Sequence, residues 1–174
     1  MLMIDLQERL MPAIYENDSI IQNSLKLLKT ASELSIPLIV TEQYPKGIGN
    51  TIKTLKNLIP ENSEILEKLT FSCLDAPDFE KSLSKMKNRD TVILFGVETH
   101  ICVLSTAIDA MEKLNLRVVI AADACGSRTE KNHILGLEAA RNLGCLVVPV
   151  ETVIYHMLGR AGTPQFKALL PLFK

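Results

Sequence analysis

Three side chains with complementary chemistry fall at the carboxyl ends of predicted β-strands. Asp5 ends the first apolar run, Lys68 ends a short third strand, and Cys102 follows the strand at 91–95 after one turn. In open α/β sheets, ligands bind beyond the carboxyl ends of the strands, so we expect these residues at one site. A carboxylate can take the proton of a thiol while an ammonium group holds both groups, so this set predicts a sulfur nucleophile with its own base.

The position of Cys102 is compatible with two interpretations. It falls in the first turn of a helix predicted at 100–114, where unpaired amide groups and the helix dipole favour a thiolate. A neighbouring Lys68 ammonium would lower the pKa of that thiol further. However, a free cysteine flanked by Ile101 and Val103 is more often a small core residue. Spacing alone leaves both interpretations open.

The elements that position these residues alternate along the chain. Continuous apolar runs predict strands, and apolar residues at 3.6-residue spacing predict helices. The predicted strands are 2–5, 37–41, 65–68, 91–95, 117–122 and 145–150. The predicted helices are 19–35, 51–58, 78–87, 100–114 and 130–143, with a helical tail from 152. This alternation predicts one α/β domain over residues 1–174, a three-layer sandwich with a doubly wound, mostly parallel sheet of about six strands.

Composition and charge limit the classes of partner. The net charge is -1, from 19 basic and 20 acidic residues, so we expect neither nucleic acid nor a membrane surface as partner. No apolar stretch has the length of a membrane span. Charged residues such as Asp5 and Arg9 interrupt the start too early for a signal peptide. We therefore expect the four cysteines to be thiols in a reducing compartment, the cytoplasm or an organelle.

Three motifs, in this order, resemble those of the isochorismatase-like cysteine hydrolases. They are the strand-one aspartate motif at 3–7, the lysine motif at 68–72 and the nucleophile motif at 96–103. The similarity extends over nearly the whole chain. Within the family, the segments 41–47 and 123–128 resemble the isochorismatase domain-containing proteins most closely.

This resemblance implies a mechanism and a set of site residues. Cys102 would attack a carbonyl carbon to give a covalent intermediate, Asp5 would carry the proton, and Lys68 would hold both groups in place. The backbone N–H groups of Glu98 and Cys102 would form the oxyanion hole. The peptide bond between Val97 and Glu98 would be cis. The Glu98 side chain stays open between the pocket and solvent.

The resemblance also bears on the pocket and on metals. The candidate pocket residues are Gln7, Glu42, Tyr44, Phe71 and Thr99, where core packing remains open for the two aromatic residues and a helix cap is favoured for Thr99. Nicotinamidases of this family carry an aspartate and histidines for a metal after strand two. The matching segment here offers Glu42 and Gln43 but no histidine. We therefore expect no metal and no other cofactor.

These expectations favour a cysteine-dependent hydrolase of a small amide or carbamoyl-type substrate. Isochorismate is disfavoured, because its enol-ether cleavage in this family does not need the thiol that Cys102 supplies. The alternatives are a catalytically silent binding or scaffold protein, and thiol redox chemistry between Cys102 and Cys73. Some members carry a ribonuclease label, which the near-neutral charge does not support. Family members commonly assemble, so we expect a homo-oligomer.

Overall fold

A single sheet of six parallel strands organises the protein. The computed structural model describes residues 1–86 and 89–174, and the strand order is β3-β2-β1-β4-β5-β6. The strands are β1 (Leu2–Ile4), β2 (Ile39–Gln43), β3 (Glu64–Lys68), β4 (Thr91–Val97), β5 (Arg117–Gly126) and β6 (Leu146–Val148). Every neighbouring pair of these strands is parallel. The predicted α/β class with about six strands is therefore confirmed.

Helices cover both faces of this sheet. Within the described residues, the α-helices are α1 (Asn17–Glu33), α2 (Pro45–Ile48), α3 (Lys53–Lys56), α4 (Phe79–Ser84), α5 (Leu104–Glu112), α6 (Glu130–Leu143), α7 (Val150–Leu158) and α8 (Pro164–Leu169). From the centre of the sheet, α1 leads the chain outward to β2, whereas α5 leads it in the opposite direction to β5. Right-handed crossovers place these two helices on opposite faces. Accordingly, α1 packs against α7 and α8, and α5 packs against α6.

The central strands carry the apolar core and place Asp5. Met3 and Ile4 on β1 are fully buried, as parallel strands covered on both faces require. β4 runs so close to β1 that a Cβ atom on Gly96 would lie 2.0 Å from the Ile4 carbonyl oxygen. Gly96 also has a φ of +124°, which glycine adopts without steric cost. Asp5 follows directly, with its own φ at 52°, so the backbone turns out of the sheet at this residue.

Some predicted boundaries were wrong around the fourth and fifth strands. β5 continues to Gly126 instead of ending at residue 122, because its last residues pair with β4 beyond a register shift. The helix predicted at 100–114 is a π-helical turn (Thr99–Val103) followed by the shorter α5. The predicted end of the 78–87 helix at Lys87 lies outside the described residues.

A large cavity lies away from the predicted reactive residues. It has a volume of about 900 Å³ and apolar walls that include Leu2, Val92 and Val118, near the amino ends of their strands. Parallel α/β sheets carry their chemistry at the opposite edge, so this cavity is not the expected site. None of the helices in the described parts of the chain has the length and apolar character needed to cross a membrane.

Candidate active site

The three predicted reactive side chains meet at the carboxyl edge of the sheet. The Lys68 Nζ atom lies 2.7 Å from Asp5 Oδ2 and 3.6 Å from Cys102 Sγ. The side chains of Lys68 and Asp5 are 0% and 1% exposed, and Cys102 is also buried. Asp5 directly follows β1, Lys68 ends β3, and the turn after β4 contributes Cys102. The structure thus brings together an acid, a cation and a thiol from distant parts of the chain.

The Lys68 ammonium group is surrounded by acceptors. In addition to Asp5 and Cys102, it donates to Gln43 Oε1 at 2.6 Å and approaches the carbonyl oxygens of Thr70 and Phe71 at 3.2 and 3.4 Å. Burial alone would lower the pKa of Lys68, but attraction by the Asp5 carboxylate and the nearby thiols outweighs burial, and the net shift is upward. Lys68 therefore stays a cation, and its three protons are directed at fixed partners.

The resting Cys102 thiol is not the activated thiolate that the sequence suggested. Burial, and then the neighbouring Asp5 carboxylate, raise the pKa of Cys102 to about 12, although Lys68 acts in the opposite direction. The expected lowering of this pKa is therefore wrong, because the thiol shares its buried site with an anion as well as a cation. The thiol therefore keeps its proton at rest.

A titration of thiolate absorbance tests this resting state. The pKa is raised at all four cysteines, to about 11 at Cys73 and to about 12 at Cys102 and Cys125, with burial as the largest cause. A raised pKa keeps a thiol protonated to higher pH, so we expect no thiolate signal from Cys102 between about pH 6 and pH 9 in the folded protein. A signal near pH 7 in the wild type that Cys102→Ala abolishes would contradict this assignment.

The turn that carries Cys102 begins at a cis peptide bond between Val97 and Glu98. The Glu98 carboxylate turns inward, where it accepts hydrogen bonds from the Arg128 backbone N–H at 2.8 Å and from Arg128 Nε at 3.1 Å. Its side chain is 8% exposed, so it does not point to solvent. The Glu98 side chain therefore anchors the turn, and its backbone N–H remains the predicted oxyanion donor together with that of Cys102.

Two further contacts join this turn to the segment at the start of α6. The Thr99 hydroxyl lies 2.9 Å from His133 Nδ1, and His100 Nδ1 lies 2.9 Å from Ser127 Oγ. The prediction that Thr99 caps the helix is wrong. Its side chain makes no capping hydrogen bond, and its hydroxyl contacts His133 on α6 instead. Because the hydroxyl of Thr99 and the ring of His100 face α6, both residues stabilise the turn between Glu98 and Cys102.

The remaining pocket candidates fall into two groups. Gln7 is fully buried, and its amide bonds to the backbone of Gln43 and Gly49. Glu42 accepts hydrogen bonds from the backbone N–H and the hydroxyl of Thr51. The side chains of Gln7 and Glu42 therefore both stabilise the loop that follows β2. By contrast, Tyr44 and Phe71 are exposed, at 51% and 61%.

The exposed aromatic residues lie beside the reactive cluster. The Tyr44 backbone N–H donates to the Lys68 carbonyl at 2.9 Å, and Leu69 next to it is 75% exposed. These positions place apolar surface at the rim of the site, where it can contact a substrate or another chain. Across residues 1–86 and 89–174, no three His, Cys, Asp or Glu side chains are grouped so that they could hold a metal ion.

Comparisons with known proteins identify the family of this chain. A family model described as the isochorismatase domain matches residues 1–152. Isochorismatase domain-containing protein 1 of Salmo salar is 34% identical over 170 residues, covering 98% of this chain and 59% of that protein. Isochorismatase domain-containing protein 2B of Mus musculus is 32% identical over 170 residues, covering 98% of this chain and 78% of that protein. The chain belongs to the isochorismatase-like hydrolase family.

Solved structures share this fold over almost the whole chain. The MAR1 ribonuclease from Caenorhabditis elegans superposes with a TM-score of 0.91 and 37% identity, covering 98% of this chain and 86% of that one. The YcaC gene product from Escherichia coli, described as an octameric hydrolase of unknown specificity, has a TM-score of 0.87 and 24% identity, covering 98% and 85%. These relatives share an architecture, and their names differ in the activity they suggest.

Proposed function

We propose that the protein is a cysteine-dependent hydrolase that cleaves a C–N bond of a small amide or carbamoyl-type substrate. The observation that carries this proposal is the position of the Lys68 ammonium group between Asp5 Oδ2 and Cys102 Sγ, at 2.7 and 3.6 Å. A buried cation, a buried carboxylate and a thiol in direct contact are expensive to maintain for packing alone. The same set is what nucleophilic catalysis by a neutral thiol requires.

The chemistry follows from the resting protonation states. As Cys102 Sγ bonds to the substrate carbonyl carbon, its proton passes to Asp5, and the oxyanion receives the backbone N–H groups of Glu98 and Cys102. Asp5 then gives this proton to the departing nitrogen, which leaves as an amine or ammonia. Water then attacks the acyl carbon and gives a proton to Asp5, the carbon–sulfur bond breaks to release the acid, and Asp5 returns the proton to Cys102 Sγ. Lys68 keeps its own charge throughout and holds the two reacting groups together.

The name of one relative supplies a second candidate, ribonuclease activity. The Caenorhabditis elegans protein that carries this name is 37% identical to the chain. The charge of -1 offers no excess of cations for a phosphate backbone, and Lys68 is occupied by Asp5. We therefore rank this candidate second.

We also propose that the protein forms a homo-oligomer, since another similar protein is described as octameric. Sizing chromatography coupled to light scattering measures the mass of the assembly.

Covalent trapping tests the hydrolase directly. Wild-type protein is mixed with small amides, carbamoyl acids and a short RNA, then quenched in acid for intact and peptide mass analysis. We expect ammonia or amine release from an amide and an adduct on the peptide that contains Cys102. We also expect iodoacetamide to label Cys102 faster than Cys73, Cys125 and Cys145, because the Cys102 thiol is hydrogen-bonded to the Asp5 carboxylate, which can take its proton.

A matched variant and two contrary outcomes complete this test. Cys145→Ala removes a thiol that lies near Met111 Sδ, away from the cluster, and should leave release and adduct unchanged. RNA cleavage without any adduct would favour the ribonuclease candidate. If no compound reacts and Cys102 is labelled no faster than the other three thiols, a silent binding protein replaces the enzyme.

A further inference from the structure

Asp5 has a second buried partner besides Lys68. The Thr41 hydroxyl lies 2.7 Å from Asp5 Oδ1, on the carboxylate oxygen that Lys68 does not contact, and Thr41 is fully buried. The backbone N–H of Asp5 also donates to the Thr41 carbonyl at 3.1 Å. An ionised carboxylate only accepts hydrogen bonds, so Thr41 must donate its single hydroxyl proton to Asp5. The Thr41 oxygen is then free to accept a proton from another group.

Cys73 is the group that faces the Thr41 oxygen. Its Sγ atom lies 3.6 Å from Thr41 Oγ1, and the residue is fully buried. Burial raises the pKa of Cys73 to about 11, so this thiol keeps its proton and donates it to Thr41. The backbone N–H of Cys73 donates to Thr106 Oγ1 at 3.0 Å. Thr106 lies on α5, the helix that follows the turn with Cys102. The contacts through Thr41, Cys73 and Thr106 therefore connect the Asp5 carboxylate to this helix.

We propose that Thr41, with Cys73 behind it, is a positioning residue for proton transfer in this site. It fixes Asp5 Oδ1 and favours the ionised form of the carboxylate, while Lys68 acts on Oδ2. This inference rests on the proposed function, since Asp5 acts as a base only if Cys102 is the nucleophile. When the Cys102 S–H bond breaks and an Asp5 O–H bond forms, the donation from Thr41 loses strength. Thr41 thereby promotes the later return of that proton to the leaving nitrogen.

The pH dependence of Cys102 alkylation measures this role without a substrate. Thr41→Val keeps the shape of the side chain but removes the hydrogen-bond donor to Asp5 Oδ1. The acid limb of the pH profile is the range in which the alkylation rate falls as the pH is lowered. We expect this limb to move to higher pH by about one unit or more, since a hydrogen bond to a charged group has that strength. Thr41→Ser should restore the wild-type limb. Thr30→Val is the matched control, because its buried hydroxyl bonds only to the Lys26 carbonyl within α1.

A second pair of variants keeps the test decisive if Thr41→Val fails to fold. Cys73→Ala removes the donor to Thr41 and should move the acid limb in the same direction by less, whereas Cys73→Ser should not move it. Asp5→Asn separates this inference from the proposed function. If Asp5→Asn leaves Cys102 as reactive as in the wild type, the proposed base is wrong. If Asp5→Asn slows the reaction while the Thr41 and Cys73 variants keep the wild-type limb, the positioning role is overturned and the base stands.

Discussion

Replacing Cys102 with alanine is expected to lower kcat for an amide substrate by about 10⁴-fold or more. The substitution removes the sulfur atom that bonds to the carbonyl carbon, so the covalent route is lost altogether. Substrate affinity should change little, because the backbone donors and the Asp5–Lys68 pair remain. Steady-state kinetics on a substrate found by covalent trapping, with the dissociation constant measured by calorimetry, separates the two effects.

Controls for this variant must distinguish lost chemistry from lost structure. Cys145→Ala removes a thiol of similar burial, 7% exposed like Cys102, and should keep kcat within about twofold. Both variants should unfold in denaturant within about 1–2 kcal/mol of the wild type, since each loses one small buried group. Retention of a tenth or more of the wild-type kcat in Cys102→Ala would show that sulfur is not the nucleophile.

Replacing Lys68 with methionine is expected to reduce the free energy of unfolding by about 3–5 kcal/mol at pH 7. The change leaves the Asp5 carboxylate, whose side chain is 1% exposed, without its cation. A buried charge without a partner is costly, and denaturant unfolding of the variant and the wild type at pH 7 measures that cost.

The surface offers a matched lysine for comparison. Lys81 lies 3.8 Å from Asp78, with side-chain exposures of 72% and 66%, and Lys81→Met should change stability by less than about 1 kcal/mol. The double variant Asp5→Asn with Lys68→Met should recover much of the loss, because no charge is then stranded. An equally small effect for Lys68→Met and Lys81→Met would mean that the buried contact between Lys68 and Asp5 does not stabilise the fold.

The sequence predicted the alternation of elements well because buried parallel strands are continuous apolar runs. It also indicated which strand ends carry Asp5, Lys68 and Cys102, since that edge follows from the topology. It missed the state of the Cys102 thiol, because the pKa depends on how deeply the thiol is buried and on its distance from Asp5. Neither quantity is encoded in local spacing.

Side-chain partners were the least predictable part of the site. Thr41 and Cys73 are typical of strand and core filling, and only the packing of β2 beside β1 places the Thr41 hydroxyl on Asp5. Glu42, one residue later, points to the other side and bonds to Thr51. The alternation of side chains along β2 would have assigned Thr41 and Glu42 to opposite faces, which was the available signal. Which face approaches Asp5 required the register.

β1 is a three-residue strand between β2 and β4, and the base of the proposed reaction is the residue that directly follows it. Asp5 and Lys68 are separated by 63 positions, and Lys68 and Cys102 by 34. No fragment that lacks either half of the sheet can assemble this chemistry, so a nascent or half-folded chain carries three unrelated side chains. Catalytic activity therefore requires the completed fold. We expect activity to be lost together with global unfolding and not before it.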